Sequence, residues 1–339
     1  MQYRTLGTTG IRVSALALGT MNFGALGRTT QKDVTALVDG ALAAGITLVD
    51  TADVYSGGQS EEMLGRALAG RRDDVVLATK AGLPMGEDPA RRGASRRWLV
   101  QALEDSLRRL GTDHVDLYQV HRWDPTTSDE ETLAALTDLQ RAGKIRAFGS
   151  STYPADRIVE AQWAARERGL GRYVTEQPPY SILQRGAEAH VLPVAERYGL
   201  GVLAWSPLAS GWLSGAVRAG HEVRTNRSGF MPARFDVSQP HNRARLDAVE
   251  RLVAVADAAG LTMVQLALGF VTAHRAVTAA LIGPRTTEHL GSQLAAADTV
   301  LSADVLDAVD EIVAPGLDLA PGERNDTPPS LLDAALRRR

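Results

Sequence analysis

Four polar residues lie at or just past the ends of three short apolar runs. Asp50 and Tyr55 follow ITLV, Lys80 follows VVLAT, and His121 follows VDLYQV. Each run reads as a buried strand, so the polar groups should emerge at one end of a parallel sheet or barrel. A phenol can give a proton, an ammonium can tune it, a carboxylate can hold the ammonium, and an imidazole can orient a carbonyl. Together they suit carbonyl reduction. Taken singly, Asp50 also fits a turn in DTAD, Tyr55 an aromatic at an interface, and His121 a satisfied strand-end histidine.

Lysine usage singles out Lys80. Among 37 Lys+Arg, the lysines are Lys32, Lys80 and Lys144. Arginine is the default cation, so a lysine after an apolar run suggests a need for a compact ammonium with a movable pKa. Lys32 and Lys144 read as surface residues. His114, His190, His221, His241 and His274 read as surface or loop residues, with no metal-ligand spacing among them.

The elements that must position these groups alternate. YRTL and IRVSAL flank Gly7 to Gly10 as a hairpin leading into the first strand. Candidate strands follow at 15–18, 47–49, 75–79, 115–120, 145–149, 173–177, 201–205 and 278–282, with helical patterns between them. Trp98, Leu99, Ala102, Leu103, Ser106, Leu107 and Leu110 recur at helical spacing, and Gly111 is a natural stop. Ser60 before Glu61 and Glu62 reads as a helix N-cap. Eight βα units in 339 residues predict one closed (β/α)8 barrel, a TIM barrel with an N-terminal hairpin, spanning 1–339. No GxGxxG follows the first strand, which weakens a Rossmann alternative. Residues 206–242 are too long for an ordinary βα connection and read as a flap. The tail 315–339 is Pro-rich and then ends in SLLDAALRRR, a short helical pattern.

Composition excludes other classes. A net charge of -3 offers no electrostatic case for nucleic acid or an anionic membrane. No apolar stretch approaches the ~20 residues of a membrane span. The chain has no cysteine, hence no disulfide framework, thiolate nucleophile or Cys-based zinc site. That composition suits a reducing cytoplasm, and MQYRTLGTTG does not resemble a signal peptide.

GITLVDTADVYSGGQSEEMLG, DLYQVHRWD, AGKIRAFGSST, EQPPYSIL, WSPLASGWLSG and IGPRTTEHL, in this order over nearly the whole chain, resemble signatures of the aldo-keto reductases. The resemblance implies a (β/α)8 barrel that reduces a small carbonyl substrate with a nicotinamide cofactor, usually NADPH. It assigns Asp50, Tyr55, Lys80 and His121 as a catalytic tetrad. Tyr55 would be the general acid, Lys80 the cation that favours its phenolate, Asp50 the anchor of Lys80, and His121 the hydrogen-bond partner of the substrate oxygen.

The same resemblance implies the cofactor contacts. Trp205 would stack on the nicotinamide, with Thr20, Met21 and Asp50 nearby. Ser151, Thr152 and Gln177 would bind its carboxamide, Thr152 replacing a common asparagine. Ser206, Pro207, Leu208 and Ser210 match the pyrophosphate loop. Gly283, Arg285, His289 and Gln293 match the adenosine end, where a basic residue favours NADPH. Ser292 replaces a frequent glutamate. Ala216 replaces a flap lysine of some relatives, leaving Arg218, Arg224 or Arg227 as substitutes. Met21, Phe23, Val54, Trp123 and the tail would line the substrate. Two other readings follow. One is a cofactor-bearing regulatory subunit like the β subunits of potassium channels, which carry asparagine at the place of His121. The other is a keto-sugar reductase of bacterial secondary metabolism. Oligomeric state is open.

Overall fold

The computed structural model describes residues 1–221, 228–229 and 231–323. The eight apolar runs become parallel strands β3 (Leu16–Gly19), β4 (Leu48–Asp50), β5 (Val76–Ala81), β6 (Val115–Val120), β7 (Ile145–Ser151), β8 (Thr175–Gln177), β9 (Gly201–Ala204) and β10 (Val277–Ile282). They close in sequence order, with β10 paired to β3. The expected (β/α)8 barrel is therefore present.

Strand pleating sorts the side chains into two cores. Ala17, Leu48, Ala78, Leu117, Ala147, Leu203 and Ala279 fill the barrel interior. Leu16, Leu18, Val49, Leu77, Tyr118 and Phe148 face outward into the sheet–helix layer. That layer is completed by α1 (Gln31–Ala43), α2 (Gln59–Ala67), α3 (Arg96–Leu110), α4 (Asp129–Arg141), α5 (Ala155–Arg168), α6 (Val191–Tyr198), α7 (Pro240–Ala258), α8 (Met263–Ala273), α9 (Thr287–Leu294) and α10 (Ala303–Ile312). Helix α3 buries the seven residues read from its periodicity and ends at Gly111, which takes the left-handed conformation a C-cap needs.

The hairpin pairs β1 (Tyr3–Thr5) with β2 (Arg12–Ser14). It closes the N-terminal end of the barrel by inserting Leu6 and Val13 into the interior core. Gly7 has φ +54, and a Cβ there would meet Gly201 N and Val174 O, each at 2.6 Å. Arg4 ties the hairpin to late elements, donating to the carbonyls of Val277 (2.7 Å) and Thr272 (2.9 Å).

Ser60 is not the N-cap of α2. Gly58 holds that position in the left-handed region, and the helix starts at Gln59. Ser60 lies inside the first turn, and its hydroxyl bonds Thr20 Oγ1 and Thr20 O, both at 2.9 Å. The SEE pattern has the local form of a cap, but a tertiary contact to the end of β3 claims the serine.

The described residues of the stretch 206–242 are only partly irregular. They hold short 3-10 turns at Ala209–Gly211 and Pro232–Phe235, and α7 begins at Pro240. Arg224, Arg227 and the tail from residue 324 lie outside the described residues. No single helix among the described residues is long and apolar enough to cross a membrane.

Candidate functional site

Parity along three strands aims the polar groups. Leu48 faces the barrel interior, so Asp50 does too. Ala78 carries Lys80 inward, and Leu117 carries Gln119 and then His121. These groups sit above the last apolar layer, at the C-terminal end where barrel enzymes react.

Lys80 has no exposed surface. Its Nζ donates to Asp50 Oδ2 (2.5 Å), to Thr51 O (2.8 Å) and to Tyr55 Oη (3.3 Å). Burial opposes its charge, but the Asp50 carboxylate and Tyr55 more than compensate, holding its pKa above the ordinary lysine value. His121 is nearly buried and meets Tyr55 edge to face at 5.9 Å. Burial first, then the charges of Lys80 and Arg122, hold His121 well below the usual histidine pKa, so it is neutral near pH 7. Its Nδ1 has no partner. The four residues thus converge, with an unsatisfied imidazole nitrogen among them.

Asp50 Oδ1 is held from the other side by Gln177 Nε2 (2.9 Å) and Gln119 Nε2 (3.2 Å). Gln119 escaped the sequence reading. The available signal was a polar residue of inward parity within the apolar run VDLYQV. Gln177 was expected at the cofactor carboxamide; its amide nitrogen is spent on Asp50, leaving its oxygen as the group facing other contacts.

The remaining candidates form an arc from β7 to α9. Thr152 has φ +55, and its Oγ1 accepts from Trp205 Nε1 at 3.2 Å. Ser151 Oγ donates to Gln177 O (3.0 Å). Trp205 follows β9 and bridges to Pro179, with the Arg122 guanidinium 6.0 Å from its ring. Beyond it, Ser206, Ala209 and Ser210 all take left-handed conformations around Pro207 and Leu208. Such strain in a row of non-glycine residues fixes an unusual path for the backbone amides. Ser206 Oγ accepts from Ser210 N at 3.0 Å.

At the end of β10, Gly283 O accepts from Asn22 Nδ2 (2.8 Å), which joins the segment after Thr20 and Met21 to this arc. Arg285 precedes α9 and Gln293 lies in its last turn, and the buried atoms Arg285 Nε and Gln293 Oε1 have no partner. His289 is exposed, its backbone N bonded to the Thr286 cap.

Arg218 pairs with Glu250 at 3.0 Å. Arg234, unassigned from sequence, reaches Ser210 Oγ at 3.4 Å. Phe23 has no exposed surface and belongs to the sheet–helix core, whereas Met21, Val54 and Trp123 keep some exposure. Trp123 carries the Arg157 guanidinium 5.0 Å from its ring. No group of three or more His, Cys, Asp or Glu able to hold a metal occurs among the described residues.

Comparison with known proteins places the chain in a family. Residues 15–314 match the model of the Aldo/keto reductase family. A Bacillus subtilis protein named "Uncharacterized oxidoreductase YrpG" is 39% identical, covering 97% of this chain and 98% of its own. "Aldo-keto reductase YhdN" of the same organism is 35% identical over 84% of this chain and 85% of its own. A rice "Probable voltage-gated potassium channel subunit beta" is 34% identical over 92% and 97%. The chain belongs to the aldo/keto reductase family, a family of oxidoreductases.

Proposed function

We propose that this chain reduces an aldehyde or ketone to an alcohol, with NADPH as hydride donor and Tyr55 as general acid. The observation that carries this reading is the buried Lys80 ammonium bridging Asp50 and Tyr55 at the barrel mouth. When bound, the reduced nicotinamide supplies the hydride. Tyr55 Oη gives its proton to the substrate oxygen as that oxygen gains charge. Lys80 stabilises the negative charge left on the phenol, and Asp50 holds Lys80 in place. The neutral His121 offers its ring N–H to the carbonyl oxygen and orients it.

The cofactor fits the residues present. Arg285 Nε and Gln293 Oε1 are buried without partners and suit a phosphate and an adenine amine respectively. Trp205 offers a flat face, Ser151, Thr152 and the Gln177 oxygen suit the carboxamide, and the left-handed Ser206–Ser210 loop suits the pyrophosphate. Asp50, Thr20 and Met21 complete the nicotinamide side, with Gly283 and His289 at the adenosine end. Arg234 reaches Ser210 Oγ of that loop at 3.4 Å, which supports a role for it in closing over the phosphates. The substrate is a small carbonyl compound bounded by Met21, Val54 and Trp123.

The test is NADPH oxidation against aromatic aldehydes, dicarbonyls, ketosteroids and keto sugars, with Tyr55→Phe alongside. Tyr55→Phe should bind NADPH normally and lose reduction by ~10²-fold or more. Comparable turnover by the two proteins removes Tyr55 as the acid. Turnover confined to sugar nucleotides selects the keto-sugar reductase reading. The potassium-channel-subunit relatives support a second reading, a cofactor-bearing regulatory subunit. His121 in the site supports catalysis instead, and NADPH binding with no reduction across the panel would favour regulation.

A further inference from the structure

A buried carboxyl group outside the tetrad has no role in the chemistry above. Asp53 lies between β4 and Tyr55. Its backbone N donates to Lys80 O at 3.0 Å, so the turn carrying Tyr55 hangs from the strand that carries Lys80. The Asp53 side chain is 1% exposed, and neither oxygen meets a hydrogen bond of ordinary geometry.

Every charged or titratable neighbour is committed elsewhere. Glu61 of α2 is fully buried, with Oε1 accepting from Thr79 Oγ1 (2.6 Å) and Oε2 from Arg109 Nε (2.7 Å). Arg109 of α3 also donates to Ser106 Oγ. Lys80 of β5 serves Asp50, Thr51 and Tyr55. The Tyr118 hydroxyl of β6 donates to Leu99 O. An ionised carboxylate in this place would be buried, poorly paired and beside the Glu61 carboxylate, a costly arrangement. The neutral acid avoids that cost.

We propose that Asp53 is a positioning residue for Tyr55: it holds a proton in the resting protein, and losing that proton to solvent loosens the turn that presents the phenol. Asp53 is two residues from Tyr55, and that turn already contains left-handed Ser56 and Gly57. Movement of the new charge toward water therefore pulls directly on the phenol. Burial, then Glu61, push the Asp53 carboxyl up to about 7, against the Val54 amide, Arg109 and Lys80. Ionisation thus falls in an accessible range. The sign follows from linkage. Because the folded value exceeds the ordinary 3.8, stability owed to Asp53 is complete below about pH 4 and is lost as pH rises through about 7.

The inference rests on Tyr55 as proton donor, and the experiment separates the two. Wild type and Asp53→Asn are compared by infrared titration, thermal unfolding and NADPH-dependent reduction at about pH 6 and about pH 8.5, with Asp53→Ser as a second variant. A protonated-carboxyl absorption that falls between the two pH values is expected, with a component present in wild type and missing from the Asp53→Asn difference spectrum. The component shared by both proteins belongs to other buried carboxyls such as Glu176, pushed up to about 7 by burial. The variant should lose less thermal stability than wild type between the two pH values. Its ratio of kcat at high to low pH should exceed that of wild type by ~3- to 10-fold, with KM for NADPH unmoved. Absence of a component confined to wild type, or equal kcat ratios, overturns the role of Asp53. Should neither protein reduce any carbonyl, the functional reading fails, while the infrared and unfolding results still decide whether Asp53 holds a proton.

Discussion

The two sides of the barrel mouth are prepared in opposite ways. On the β4–β6 side the charges are paired before any ligand arrives: Lys80 has three partners, and Asp50 is held by Lys80, Gln119 and Gln177. On the β9–β10 side, buried polar atoms of Arg285 and Gln293 stand unpaired, and a row of residues keeps a strained backbone. Preorganised charge lowers a barrier because nothing must reorient during reaction. Unpaired donors and acceptors gain most when a ligand meets them. On the proposed reading, the first side does chemistry and the second does binding.

The comparison makes an ordered set of expectations. Lys80→Met should have the largest effect. It removes the charge that supports Tyr55 and leaves Asp50 buried without its cation, so reduction should fall ~10³-fold or more and stability by about 3–5 kcal/mol. Near-normal turnover by a folded Lys80→Met would break the comparison on its chemical side. Arg285→Ala acts on the other half: NADPH affinity should fall ~10- to 100-fold, with NADH affinity and thermal stability nearly unchanged, as titration of each nucleotide would show. Equal loss for both nucleotides would move the extra phosphate away from Arg285. The smallest effects sharpen the flap. Arg234→Ala should speed NADPH release by ~3- to 10-fold, whereas Arg218→Ala, already paired with Glu250, should leave it within about 2-fold. The reverse order in stopped-flow traces would return Arg218 to the phosphates.

Legibility in the sequence divided along physical lines. The strands were visible because parallel strands covered on both faces are continuous apolar runs, and the convergence of Asp50, Tyr55, Lys80 and His121 was visible because polar groups follow those runs. Helix α3 was visible because its buried face repeats every three to four residues. Interactions between distant segments were not visible. Ser60 looked like a cap because its partner Thr20 lies 40 residues away. The Arg218 ion pair was hidden because Glu250 lies 32 residues away. Gln119 was masked by the apolar run around it, although its parity matches Leu117. Phe23 follows Thr20 and Met21 closely, yet turns into the core instead of the mouth.

The wedge of Gly7 against Gly201 and Val174 has a consequence for how the chain is assembled during synthesis. The seat for residues 3–14 is built from segments near 174, 201 and 272–277. At about 5–20 residues per second, the ribosome emits those segments many seconds after the N-terminus. The hairpin residues leave the ribosome before their seat does and are therefore among the last to find their place, and the stopper goes in only after the staves have met.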